Sequence, residues 1–187
     1  MSRYRRLTAA VLSFAAANAA AFPDGAPWGA ALPDTEFNCG QCHFDYEAVR
    51  DSRALSLVGL PTRPVAGESY DIAVVLAAPN AKIAGLQMLI EASNGNAGRL
   101  RAASENIEAI GAAARSTTPD PVNGAISWAL RWQLPTALAL PVTIYVAAVE
   151  ANHDGSPFGD TAHFRSFTIE STASPAAAAD TPAPDSR

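Results

Sequence analysis

Two stretches of strict alternation set the strongest limit on how this chain folds. Tyr70, Ile72, Val74 and Leu76 recur at every second position, as do Ile126, Trp128, Leu130 and Trp132, with Ser127, Arg131 and Gln133 falling between. A period of two puts one set on each face of an extended strand, so both stretches read as half-buried strands. Comparable runs fall at residues 54–60, 84–92, 100–103, 142–151 and 162–170, and turn-forming clusters at 61–67, 94–96, 118–124, 135–141 and 152–160 separate them. Residues 107–115 are alanine-rich and fit strand or helix equally. About seven short strands at this spacing predict a mainly β chain, an antiparallel Ig-like sandwich over residues 54–171. Composition agrees, since 187 residues with 49% hydrophobic and 17% charged content form one cored domain and not a disordered chain.

The flanks read differently. Arg3, Arg5 and Arg6 precede an apolar stretch at residues 7–17, and Ala17-Asn18-Ala19 and Ala19-Ala20-Ala21 follow with the small-x-small pattern of a cleavage site. Residues 1–21 are therefore expected to be a signal peptide, which places the mature protein in the periplasm or outside the cell. The apolar run is shorter than the roughly 18–20 residues that span a bilayer, so no stable membrane insertion is expected once it is removed. Arg5-Arg6 is compatible with twin-arginine as well as general secretory export. The formal net charge is -5, and removing these three arginines makes it more negative, which argues against nucleic acid as a partner. Residues 22–53 carry Pro23, Gly25, Pro27 and Gly29 and read as an extended arm. Residues 172–187 hold Ala, Pro, Ser, Thr and Asp with nothing large to bury, and read as a disordered tail.

The arm contains both cysteines of the chain, as Cys39-Gly40-Gln41-Cys42-His43. This is the attachment spacing of c-type haem, in which two thiols add to the vinyl groups on one porphyrin edge and the next residue turns its imidazole to the iron. Cys39 and Cys42 are then the covalent anchors of haem c, and His43 the proximal iron ligand. Three other readings compete. A thioredoxin-like pair would need a β-α-β context that the flanking residues do not offer, a structural zinc site would need a second ligand pair, and a plain disulfide would leave His43 a coincidence. Residues 44–53 leave room for one short helical turn, too little to wrap a haem, so the sandwich and the aromatics Trp28, Phe37, Phe44 and Tyr46 are expected to cover its apolar faces.

For the second axial position, His163 stands first, because it shares parity with Phe167 and Ile169 near a sheet end. Met88 is the alternative, although its place between Leu86 and Ile90 is that of a core methionine. His153 comes third, in the turn-like Asn152-His153-Asp154-Gly155-Ser156. An empty sixth position is a further option. The acidic and amide groups around Gly155, from Glu150 to Asp160, lack the glutamate that closes a calcium loop and read better as a hydrogen-bonded turn. No arrangement for hydrolytic catalysis stands out.

Several short runs occur in a telling order: Gly25-Ala26-Pro27, Val58-Gly59-Leu60-Pro61, Ala66-Gly67-Glu68-Ser69-Tyr70, Ala84-Gly85-Leu86-Gln87, the Trp128 and Trp132 stretch, and Ala151-Asn152-His153-Asp154-Gly155-Ser156 with Gly159-Asp160. In these the chain resembles short exported bacterial proteins in which a cytochrome-c-type CxxCH segment precedes a Reeler-like, Ig-like sandwich, also called a choice-of-anchor domain. It departs from them in having no histidine within residues 115–123, where some members carry one. The expectation is an electron-transfer haem protein, not an enzyme, with a redox protein as partner. The alternatives are an adhesion or partner-binding module with haem as relay or staple, and a small peroxidase-like haem enzyme, which would need an open iron position.

Overall fold

The computed structural model describes Gly25 and residues 27–170. The expected signal peptide at 1–21 and tail at 172–187 lie outside the described residues. The elements are a one-turn helix α1 (Cys39–Cys42) and ten strands: β1 (Leu55–Val58), β2 (Ser69–Ala77), β3 (Ile83–Ala92), β4 (Arg99–Ala102), β5 (Ile107–Ile110), β6 (Ala113–Ser116), β7 (Asp120–Pro121), β8 (Ala125–Gln133), β9 (Val142–Ala151) and β10 (Thr161–Ile169). One sheet runs β1-β2-β8-β4 and the other β10-β9-β3-β6-β5, with β7 also pairing to β3. All of these strand pairs are antiparallel.

The seven expected strands are all present, and three short ones join them. Residues 107–115 resolve as the β5–β6 hairpin, in which Ile110 pairs with Ala113 and Gly111 takes the first turn position at φ +59°. Glycine suits a two-residue turn whose first central residue needs positive φ. Residues 44–53 form no helix; the one helical turn among the described residues lies within the cysteine motif itself.

The alternation seen in the sequence builds the core. Ile72, Val74 and Leu76 of β2 and Trp128, Leu130 and Trp132 of β8 meet Leu86, Met88 and Ile90 of β3 and Val142, Ile144 and Val146 of β9. Each is at most 3% exposed, and burying a side chain of this size contributes about 1.5–3 kcal/mol. The two indoles also find acceptors, Trp132 Nε1 donating to the Ala97 carbonyl at 2.8 Å and Trp128 Nε1 to Asp120 Oδ2 at 2.7 Å. Buried indole N–H groups left unpaired would cost the stability that their rings supply.

The larger sheet is covered on both sides. Its outer face carries a second apolar cluster in which Ala30 and Cys39 of the arm sit on Ala147, Ala162 and Phe164. Gln87 of β3 ties the arm down at its start, accepting from Ala30 N at 3.1 Å and donating to the Pro27 carbonyl at 2.6 Å. Further along, Val49 N donates to Ala162 O at 2.8 Å, Phe164 N to Val49 O at 2.9 Å and Ser52 N to Phe164 O at 2.9 Å. These bonds occupy the free edge of β10, which would otherwise present an unpaired row of donors and acceptors.

Candidate functional site

Between the arm and the outer face of the larger sheet lies a cavity of about 950 Å³. Ile83, Gly85 and Gln87 of β3 and Val149 and Ala151 of β9 form its floor, and α1 with His43 forms one wall. Ser116, Thr118, Pro119 and Pro121 form another, and the 153–156 turn lies at its rim. The volume is at the upper end of the range for small-molecule sites, about 300–1,000 Å³. Gly85 helps to make the space: a Cβ built there meets nothing nearer than Ser116 Oγ at 4.0 Å, so a longer side chain would extend into the cavity.

All three motif residues line this cavity. Cys39 is buried and its thiol donates to the Ala30 carbonyl at 3.5 Å, whereas Cys42 is exposed; neither is in a disulfide. Burial, with the neighbouring Cys42 adding to it, pushes the Cys39 thiol up to about 12 from 9.0. His43 Nδ1 lies 2.8 Å from Asp160 Oδ2, and Asp160 is 1% exposed. The other oxygen of that carboxylate accepts from Asn152 N at 3.2 Å. With Nδ1–H donated to Asp160, the lone pair is on Nε2, the tautomer a metal-ligating histidine needs.

The segment after His43 is fastened to the 152–160 loop twice more. Gly159 N donates to Asp45 Oδ2 at 3.1 Å, and Phe44 meets Phe158 edge to face with centroids 5.7 Å apart. The loop is internally wired: Asn152 Oδ1 accepts from Asp154 N at 3.0 Å, and Asp154 Oδ1 accepts from Ser156 N at 2.9 Å and Ser156 Oγ at 2.8 Å. The same Ser156 bonds hold the Asp154 carboxyl below its ordinary range. This is the hydrogen-bonded turn that the sequence favours over a calcium loop. Asp160, its last acid, partners His43.

The strand register puts His163 on the opposite face of β10 from the arm. Ala162 and Phe164 belong to the cluster under the arm, while Phe167 and Ile169, which share parity with His163, pack on the core between the sheets. His163 therefore faces away from His43 and is not on the cavity lining. Its Nδ1 is 2.8 Å from Ser52 Oγ and its Nε2 is 3.5 Å from Glu150 Oε1. Met88 is 1% exposed in the core and does not reach the cavity either. His153, ranked behind both, is on the lining.

The aromatics also divide. Phe37 lines the cavity, but Trp28 stacks with the Arg115 guanidinium at 4.7 Å, Phe44 lies against Phe158, and Tyr46 is exposed and off the lining. Among the described residues no three His, Cys, Asp or Glu side chains are gathered as a bare metal ion would require, and no helix is long and apolar enough to cross a membrane.

The sandwich has counterparts among solved structures. The human F-spondin reeler domain aligns with 66% of this chain and 94% of its own, at a TM-score of 0.50 and 17% identity. The fold is a Reeler-like β-sandwich. The Reelin-N domain of F-spondin is similar at a TM-score of 0.49, covering 66% of this chain and 91% of that one at 17% identity. At such identities the likeness extends to the fold alone. No family model and no curated protein matches the sequence.

Proposed function

We propose that this chain is an exported c-type haem protein that transfers electrons, with haem bound covalently through Cys39 and Cys42 and with His43 as proximal iron ligand. One observation carries the reading: a Cys-x-x-Cys-His turn lines a large, mainly apolar cavity, and the Nδ1 of its histidine is engaged by a buried carboxylate. A bare metal ion would need several protein ligands, whereas a porphyrin brings its own equatorial nitrogens and asks only for axial ones. When bound, the haem supplies a one-electron couple.

The protein supplies everything else. Cys39 and Cys42 fix the cofactor edge against the arm, and Asp160 holds the His43 ring in one orientation and one tautomer. Val149, Ile83 and Ala151 offer an apolar floor, and Gly85 leaves depth above it. Export rests on the Arg-rich and apolar pattern of residues 1–21. Cys42, exposed at the cavity edge, marks the side from which a redox protein partner would exchange electrons.

A partner-binding role is a second reading, favoured by Phe37, Phe44, Tyr46 and Phe158, which are 51–76% exposed around the same site. A redox titration of the haem-loaded protein separates the readings from catalysis. A reversible one-electron wave, with no carbon monoxide binding to the reduced iron, supports electron transfer. An iron that binds carbon monoxide or turns over peroxide contradicts it.

A further inference from the structure

We infer that His153 is the second axial ligand of the iron, an assignment that rests on the haem reading above and deepens it. The chain has three histidines and two methionines. His43 is the proximal ligand, His163 faces the other side of its sheet, Met88 is in the core, and Met1 lies within the expected signal peptide. The single lysine, Lys82, is not on the cavity lining. The wall formed by Ser116, Thr118, Pro119 and Pro121 offers no nitrogen or thioether ligand. His153 is the one remaining imidazole on the lining.

The Asp160 carboxylate that takes His43 Nδ1 on one oxygen takes the N–H of Asn152, the neighbour of His153, on the other. The Asp45–Gly159 bond and the Phe44–Phe158 contact close the same unit from the arm side. His153 itself has φ +64°, one of two non-glycine residues with positive φ among those described. Glycine or asparagine adopts this backbone at less cost, and the histidine at this bend brings an imidazole to the cavity rim. His43 and the neighbour of His153 thus meet on one buried carboxylate, and both histidines line the cavity.

The test uses the full chain matured with haem, and the variant His153→Gly. Glycine is at ease at φ +64°, so the turn survives while the imidazole is removed, and a thermal melt checks that the fold is kept. Wild-type protein is expected to give a six-coordinate low-spin spectrum, and His153→Gly a five-coordinate high-spin one that added imidazole returns to low spin. His163→Ala should stay low-spin. A high-spin wild type, or a low-spin spectrum unchanged in His153→Gly, overturns the assignment while leaving covalent haem attachment intact. Wild-type protein without covalent haem overturns the haem reading, and this assignment with it.

Discussion

His43 and Asp160 are 117 residues apart in the chain and 2.8 Å apart in the fold, and the carboxylate that joins them is 1% exposed. A buried acceptor on Nδ1 makes the imidazole a stronger donor through Nε2, and with the proposed haem bound it would favour ferric over ferrous iron. The same acid also satisfies Asn152 N, so it serves two donors at once.

Asp160→Asn should therefore weaken both functions. The amide has a single acceptor oxygen for two donors, and one buried N–H is left facing an NH₂ group, at a cost of about 1–3 kcal/mol. If the ferric preference falls tenfold, the reduction potential rises by about 60 mV for a one-electron couple. Potentiometry on wild type and variant measures this, and an unchanged potential would show that Asp160 is only structural.

Gly85→Leu should leave the apoprotein folded, because a Cβ there has open space, and should fill the part of the cavity proposed for the haem. In wild type the haem form should melt above the apo form, since a group bound only in the folded state stabilises it. In the variant that gap should vanish or reverse. Paired thermal melts of apo and haem-loaded protein read the effect directly.

Met88→Ala should behave in the opposite way. Met88 is 1% exposed among core residues, so its truncation should cost about 2–5 kcal/mol of stability and leave the haem spectrum unchanged. Denaturant titration combined with the visible spectrum separates the two effects. A spectral change without loss of stability would return Met88 to the list of iron ligands.

Cys39 gives the apoprotein a distinctive pH response. Its folded value of about 12 exceeds the ordinary 9.0, so above pH 9 the unfolded chain loses a proton that the folded chain still holds. Its contribution to stability is complete below pH 9 and is lost as the pH rises toward 12. At pH 8.5, iodoacetamide should label exposed Cys42 and spare Cys39 in the folded apoprotein, and should label both in urea. Peptide mass mapping of the alkylated sites tests this, and equal labelling in the folded state would contradict the burial.

Strand patterning was legible because a sandwich writes a period of two wherever one face is wet. The β5–β6 hairpin was not, since Ile107, Ala109, Ala112 and Ala114 carry too little contrast to separate two four-residue strands from a helix. Parity with Phe167 and Ile169 turns His163 toward the core, but parity cannot say which face of a sheet an arm will cover. A signal was present in Val146-Ala147-Ala148-Val149, an apolar run without alternation, as expected of a strand covered on both faces. The arm covers part of the second face, and the cavity lies over the rest. Cys39, Cys42 and His43 were visible as a local motif, whereas the Asp160 partnership depends on a long-range register that no local pattern encodes.

In the proposed function Cys39 and Cys42 hold haem by two covalent bonds. Haem staining after denaturing electrophoresis, with a pyridine haemochrome spectrum of the same protein, tests it most directly. A stained band at the mass of this chain and the spectrum of a haem bound by two thioethers are expected, both lost in Cys39→Ser with Cys42→Ser. A wild-type protein exported and folded in haem-sufficient cells that shows neither would contradict it.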